Sequence, residues 1–350
     1  EIQATQQTPF RQRVNTALAL REQGVNLTTT ATYDHEAVRA LVDEIAAYVT
    51  RDPIDAQILT FDYKTRSFTF SSEQPGVTLD ADLLYERVCA ALDKWEKNAT
   101  VTVDPVITQP SVTKDTLAAG FTMVAAYTTT TTKDSNRNTN IRLACEAING
   151  TALMPGEIFS FNQATGQRTV EKGYKSAGAI AAGQSIEEVG GGICQVSTTL
   201  FNAAVKADLQ IVERHNHSLT VAYVDRGKDA AVNWNSQDLR FTNNSDDNVY
   251  ICCFLSDDKR VRVGVFGKLL PNGESIAIES EVTGTTSFET VYQPNLALAA
   301  GASQVTQKGK DGCSAVAYKV RKDASDNTIS REELCRSSYK TVNQIVEYGP

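Results

Sequence analysis

The sequence predicts a multidomain α+β protein, and three observations carry that prediction. At 350 residues the chain exceeds what one hydrophobic core ordinarily serves, so two or three domains are expected. Helical and strand periodicities are interleaved in the first third of the chain. Residues 269–350, by contrast, hold only short alternating runs broken by glycine. An apolar share of 41% with 22% charged residues is that of a globular fold. The net charge of −8, without a basic stripe, argues against a nucleic-acid partner. No run approaches the ~18 apolar residues of a membrane-spanning helix.

Residues 1–33 read as a polar arm, Thr-rich at Thr28, Thr29 and Thr30, with one helix from Arg11 to Glu22. Residues 34–118 read as a small α+β domain. Asp34 caps a helix that places Val38, Leu41, Val42, Ile45 and Val49 on one face. Strands follow at 56–61 and 66–71. Asp80 opens a second helix with Leu83, Leu84, Val88, Leu92 and Trp95, and a strand at 101–107 closes the unit.

The next unit spans 121–268. A helix over 140–148 stops at Asn149-Gly150, a C-terminal cap signal. Another runs from Cys194 to Ala207, with Val196, Leu200, Ala203 and Ala204 at helical spacing. Strands are expected at 209–224, 230–234, 238–242, 249–255 and 260–266. Residues 269–350 form a small all-β module, with strands near 275–278, 304–306, 315–320 and 344–347.

Seven cysteines occur, an odd number, so at least one is free or pairs between chains. Cys252 and Cys253 are adjacent in a strand, point to opposite faces and read as two buried thiols. Cys313 and Cys335 are candidates for a bridge within the tail.

The chemistry concentrates at Gly190-Gly191-Gly192-Ile193-Cys194-Gln195. A thiol at a helix N-terminus faces unpaired N–H groups and the positive end of the helix dipole, which favour thiolate. The glycines give a substrate carbonyl access and free backbone N–H groups to meet it. Cys194 therefore reads as a nucleophile, with Gly191, Gly192 and Gln195 bordering the substrate. A proton acceptor is needed, and His215 and His217 lie together in Glu213-Arg214-His215-Asn216-His217-Ser218. Either histidine serves as the base. Asp229 or Asp238 orients the ring, with Asp225, Asn233 and Asn235 as further candidates. Trp234 walls the site, and Arg214 or Arg168 takes a substrate carboxylate. The competing reading of Cys194 with both histidines is a metal set, but no fourth ligand follows at metal-binding spacing. No metal and no cofactor is expected. His35, isolated at a helix start, reads as structural.

Several motifs occur together and in order. They are Asn140-Ile141 through Asn149-Gly150, Pro155-Gly156-Glu157-Ile158-Phe159-Ser160-Phe161-Asn162, Gly173-Tyr174, Gly190 to Gln195, Glu213 to Ser218 and Asp229-Ala230. This pattern resembles the VanW domain family over roughly residues 121–268. The preceding unit, with Asp55-Ala56 and Gly76-Val77-Thr78-Leu79-Asp80, is similar to the peptidoglycan-binding domain that often stands before VanW. The tail, with Tyr339-Lys340 and Gln344 to Pro350, is similar to the glycine-rich cell-wall module that often follows it.

The resemblance implies an extracellular, envelope-associated protein of a Gram-positive bacterium, with membrane contact only through an anchor outside this sequence. The chain begins at Glu1 rather than Met, which is consistent with a trimmed export signal or anchor. The resemblance also implies an L,D-transpeptidase that joins peptidoglycan stem peptides, with Cys194 and His215 or His217 matching the family's cysteine and histidines. A carboxypeptidase results if water is the acceptor. The alternatives are a non-catalytic wall-binding protein and a Cys/His metallo-hydrolase.

Overall fold

A computed structural model of the chain describes residues 9–24, 32–95, 97–181, 184–234 and 236–350. The Thr28–Thr30 stretch and Asn235 lie outside the described residues. The architecture is mixed α+β, with an all-β C-terminal module, and divides into two compact units.

The first unit takes in Glu1–Ile54 and Gln74–Pro110. Its helices His35–Val49 and Ala81–Asp93 start where the sequence places their caps. Asp34 accepts from the Glu36 and Ala37 N–H groups, and Asp80 accepts from Leu83 N–H. Val42, Ala46 and Leu84 form the buried face. A helix at Phe10–Gln23 carries no buried residue. The closing strand is shorter than expected: only Val106–Thr108 pairs, with Gly76–Thr78.

The second unit comprises Asp55–Glu73 and Ser111–Pro350. The hairpin Ile58–Asp62/Ser67–Phe70 belongs here, not to the N-terminal unit where the order of elements had placed it. Phe61 and Phe68 explain the difference, because they stack against Tyr250 and Phe266 of the second unit's sheet. That sheet is antiparallel, in the order Phe121–Thr130, Arg260–Lys268, Val249–Leu255, Thr151–Leu153. Cys252 and Cys253 both are buried and face opposite sides of it, Cys252 among the aromatics and Cys253 in the main core.

Helices Ser135–Ile148 and Ile193–Lys206 pack on the Cys253 side. The second is nearly all buried, with Val196, Leu200, Phe201, Ala203 and Ala204 at 0% exposure. Burying each Leu or Phe here stabilises the fold by roughly 1.5–3 kcal/mol. Thr129 and Thr199 hydrogen-bond inside this core at 2.8 Å, which satisfies both hydroxyls.

A second sheet joins Gln210–Glu213, Arg240–Thr242 and Ile158–Ser160. The strand expected over 209–224 thus ends at Glu213, and the one expected at 230–234 is reduced to isolated bridges at Ala231 and Asn233. In both stretches side chains replace ladder partners: Asp229 takes the His217 N–H, and Thr198 takes the Ala230 N–H.

The C-terminal module has an antiparallel sheet of Ser275–Thr286, Gly312–Lys322 and Thr328–Tyr339. A mixed sheet of Thr290–Pro294, Gln344–Tyr348 and Ser303–Gln307 follows. The candidate Cys313–Cys335 bridge is not formed. Cys313 pairs with Tyr339 and Cys335 with Ala317, four positions along the strand. That offset is about 14 Å, far beyond the ~7 Å limit between bridged Cα atoms. All seven cysteines are free.

Candidate active site

The approach to Cys194 is fixed by backbone constraints at three successive glycines. Gly190 and Gly192 have φ of 89° and 101°, a region that side chains disfavour. Gly191 lies against the hairpin Ser176–Ala181/Gln184–Val189, where a Cβ would stand 2.1 Å from the Ala177 carbonyl oxygen. Gly192 caps the helix Ile193–Lys206, so Cys194 is its second residue. The Ile193 and Gln195 N–H groups bond back to the Gly190 and Gly192 carbonyls. The Cys194 N–H has no such bond among the described residues, so it is an unpaired donor in the first turn of the helix, the type of group that can hold an oxyanion.

The Cys194 sulfur is half-buried and meets the backbone of Val232, 3.4 Å from its carbonyl oxygen and 3.5 Å from its N–H. The His217 imidazole borders the same cavity as Cys194, and its charge acts on the thiol. The ring Nδ1 donates to Asp229 Oδ2 at 2.6 Å, which leaves Nε2 as the nitrogen free to exchange a proton. The His217 backbone N–H donates to the same oxygen at 2.7 Å. Asp229 Oδ1 accepts from Arg214 Nη2 at 3.0 Å and from the Tyr339 hydroxyl at 2.5 Å. A fully buried carboxylate thus has four donors.

The charges follow from this packing. Burial opposes ionisation of Cys194, but the His217 imidazole, the Val232 N–H and the Arg168 charge together hold its thiol below the usual range. Burial likewise opposes the imidazolium, yet Asp229 and Cys194 push His217 up to about 9. Burial raises Asp229, and the stronger pull of His217 and Arg214 keeps it ionised below the usual carboxylate range. A thiolate–imidazolium pair oriented by a carboxylate is the arrangement used by cysteine acyl-transfer chemistry.

Cys194 and His217 open into a cleft of about 690 Å³. Gly191, Gly192 and Trp234 line it, as does Arg168, whose guanidinium lies 5.9 Å from the Trp234 ring. Gln195 borders it, but its amide is buried, donating to Thr129 and accepting from Arg137.

Other expected residues stand elsewhere. His215 bonds Glu213 at 3.0 Å outside the cleft, so Cys194 and the two histidines do not converge as a metal set. Asp238 accepts from Ser160 Oγ and from the Asn162 and Leu239 N–H groups, a cap at the next helix start. Arg214 is 4% exposed and bonds Gly227, Asp229 and Ser337, so it holds Asp229 and is not offered to a substrate. Asp225 is exposed and pairs with Lys228. His35 lies against Tyr33 and Tyr85.

Three contributors carried no local signal: Val232 through its backbone, Tyr223 set edge-on to His217, and Tyr339, which lies 110 residues from Asp229.

The same regions are found in known proteins. Residues 136–266 match the family model described as VanW like protein, residues 1–100 a peptidoglycan binding domain, and residues 278–350 the G5 domain. The uncharacterized protein YoaR of Bacillus subtilis is 48% identical over 136 residues, which are 38% of this chain and 45% of the relative. The vancomycin B-type resistance protein VanW of Enterococcus faecalis is 29% identical over 158 residues, 44% of this chain and 56% of the relative. The chain therefore spans about half the length of the curated relatives it matches. Among solved structures, an IgA1 protease G5 domain covers 23% of this chain and 95% of its own length at 26% identity, with a TM-score of 0.17. This chain thus carries a VanW-like domain at residues 136–266, with a match to a peptidoglycan-binding domain before it and to a G5 domain after it.

Proposed function

We propose that the VanW-like domain is a cysteine acyl transferase acting on peptidoglycan stem peptides, with Cys194 as nucleophile, His217 as base and acid, and Asp229 as the group that orients the ring. The observation that supports it is Cys194 at a helix start and an Asp229-bound His217 lining one cleft, carried in one chain with a peptidoglycan-binding domain.

The Cys194 thiolate attacks the carbonyl that precedes the terminal D-alanine of a donor stem. The Cys194 N–H receives the oxyanion. His217 Nε2 gives its proton to the departing amine of D-alanine, the peptide C–N bond breaks, and a thioester remains. The amine of a neighbouring stem then attacks the thioester while His217 takes its proton. Thiolate is released and a cross-link forms. Water in place of the amine gives a trimmed stem. The cell envelope is where such a substrate resides, and the first and last domains suit a protein held on the wall polymer.

The test is incubation of the purified chain with a disaccharide-tetrapeptide, followed by mass spectrometry. Cross-linked dimer or trimmed monomer, with a thioester adduct on the protein, is the expected result, and Cys194→Ala abolishes all three. Product formed by Cys194→Ala removes Cys194 from the chemistry. Binding of wall polymer without any product, by wild-type protein, supports a non-catalytic wall-binding role instead.

A further inference from the structure

We propose that Tyr339, contributed by the last strand of the G5 module's first sheet, is a positioning residue for the Cys194 centre, so that the VanW-like domain is completed by the module that follows it. This inference rests on the proposed roles of Cys194, His217 and Asp229.

Tyr339 is 4% exposed and lies in the same compact unit as Asp229. Its hydroxyl does two things at once. It donates to Asp229 Oδ1 at 2.5 Å and accepts from the Gly227 N–H at 2.7 Å. Burial, then the Asp229 charge, push the Tyr339 hydroxyl far up, so it remains a protonated donor at every working pH. Two residues earlier on the same strand, the buried Ser337 accepts from Arg214 Nη1 at 2.9 Å. Arg214 is the other donor to Asp229 Oδ1. Both groups that fix this oxygen are therefore set by the strand Thr328–Tyr339, one directly and one through Arg214.

The chain 227–229 is bound to the module at further points. Gly227 is seated against Ala315 and Ala317, and its carbonyl lies 3.5 Å from the Cys335 sulfur. Asn216 and Ser218, on either side of His217, bond the Ser338 carbonyl and the Lys340 N–H. The segment that carries His217 thus bonds G5 backbone, and the segment that carries Asp229 bonds G5 side chains, where a sheet neighbour would otherwise stand. A buried carboxylate with one donor missing shifts or draws a proton, and the ring that depends on it loses its alignment. The consequence is that occupancy or displacement of the G5 module changes the reactivity of a thiol in the preceding domain.

The test uses the full chain and does not require product. Tyr339→Phe keeps the ring and removes only the hydroxyl; Ser337→Ala removes the acceptor for Arg214. For each, the rate of Cys194 alkylation by iodoacetamide is followed against pH, with Cys194→Ala as the blank. The expected result for Tyr339→Phe is a midpoint about one pH unit higher than wild type, with a smaller shift in the same direction for Ser337→Ala. A thermal melt accompanies each variant. A lowered melting temperature with an unmoved alkylation profile in both variants makes these residues structural only and overturns the proposal. If Tyr339→Phe does not fold, Ser337→Ala alone decides by the same criterion. A shifted profile in a protein that never forms product sinks the acyl-transferase reading and leaves the positioning role standing.

Discussion

His217 gives Asp229 Oδ2 two hydrogen bonds, one from its ring Nδ1 at 2.6 Å and one from its own backbone N–H at 2.7 Å. The carboxylate thereby fixes both the ring and the chain that carries it. With Arg214 buried on the other oxygen, Asp229 is the anion that compensates two cationic side chains. Asp229→Asn keeps the shape and removes that charge. We expect it to lower unfolding free energy by about 3 kcal/mol in urea titrations, because His217 can release its proton but the buried Arg214 guanidinium is left uncompensated. Cys194 alkylation near neutral pH should slow in the same variant. A protein as stable and as reactive as wild type would mean the carboxylate charge is not used.

The second expectation concerns pH. The folded state holds His217 at about 9 against its ordinary 6.5. A raised pKa means that the stabilisation is complete below about pH 6.5 and is lost as pH rises through 9. The difference corresponds to roughly 3 kcal/mol. The stability advantage of wild type over His217→Gln should therefore be flat from pH 5 to 6.5 and then decline toward pH 9. An advantage that grows with pH would contradict the assigned direction. Cys194 titrates the opposite way: its thiol is held down, so alkylation should persist at pH 6, where an ordinary thiol is under about 1% ionised.

The glycines before Cys194 differ in what they protect. A Cβ on Gly191 meets the Ala177 carbonyl at 2.1 Å, which is backbone and yields only if the hairpin moves. On Gly192 it meets Arg137 Cγ at 2.6 Å, part of a flexible side chain, at a φ of 101°. Gly191→Ala should be the costlier change, by about 1–3 kcal/mol beyond Gly192→Ala, in denaturant melts. Equal losses would show that φ, not the close approach, dominates. The sequence suggested that these glycines clear a path for substrate; the structure adds that each also fits a packing or dihedral constraint.

The elements that were legible in the sequence are those built from local signals. Asp34 and Asp80 announce their helices as caps, and the spacing of Val196, Leu200 and Ala203 announces the buried face that carries Cys194. Strand Val249–Leu255 is legible to its ends because it is apolar and flanked by turns, and the structure buries it on both faces. The irregular stretches around His217 and Asp229 were not legible. Their alternation of polar and apolar residues mimics a strand, while their backbone groups are taken by Asp229, Thr198 and the G5 module. The sequence therefore does not distinguish the two histidines or the two aspartates. Only the pairing that sets His217 on Asp229, across a loop, while His215 stays with its near neighbour Glu213, separates them.

Arg168 gives the last prediction. Its Nη2 donates to Asn162 Oδ1 at 2.8 Å, while Nε and Nη1 are buried without an acceptor in the wall of the cleft. Burial lowers its pKa, but the guanidinium remains charged, and its field helps hold the Cys194 thiol down. Two roles are thus open to one side chain: setting the thiol, and receiving the C-terminal carboxylate of a donor stem. They separate experimentally. Arg168→Gln should raise the alkylation midpoint of Cys194 whatever the substrate. It should also cut kcat/KM about 10- to 100-fold for a donor tetrapeptide with a free carboxylate, the worth of a charge-assisted hydrogen bond. A donor with an amidated terminus offers no carboxylate, so it should lose only the part that follows from the altered thiol. If both donors lose the same factor, Arg168 acts through Cys194 alone, and carboxylate recognition has to be sought among other residues of the cleft.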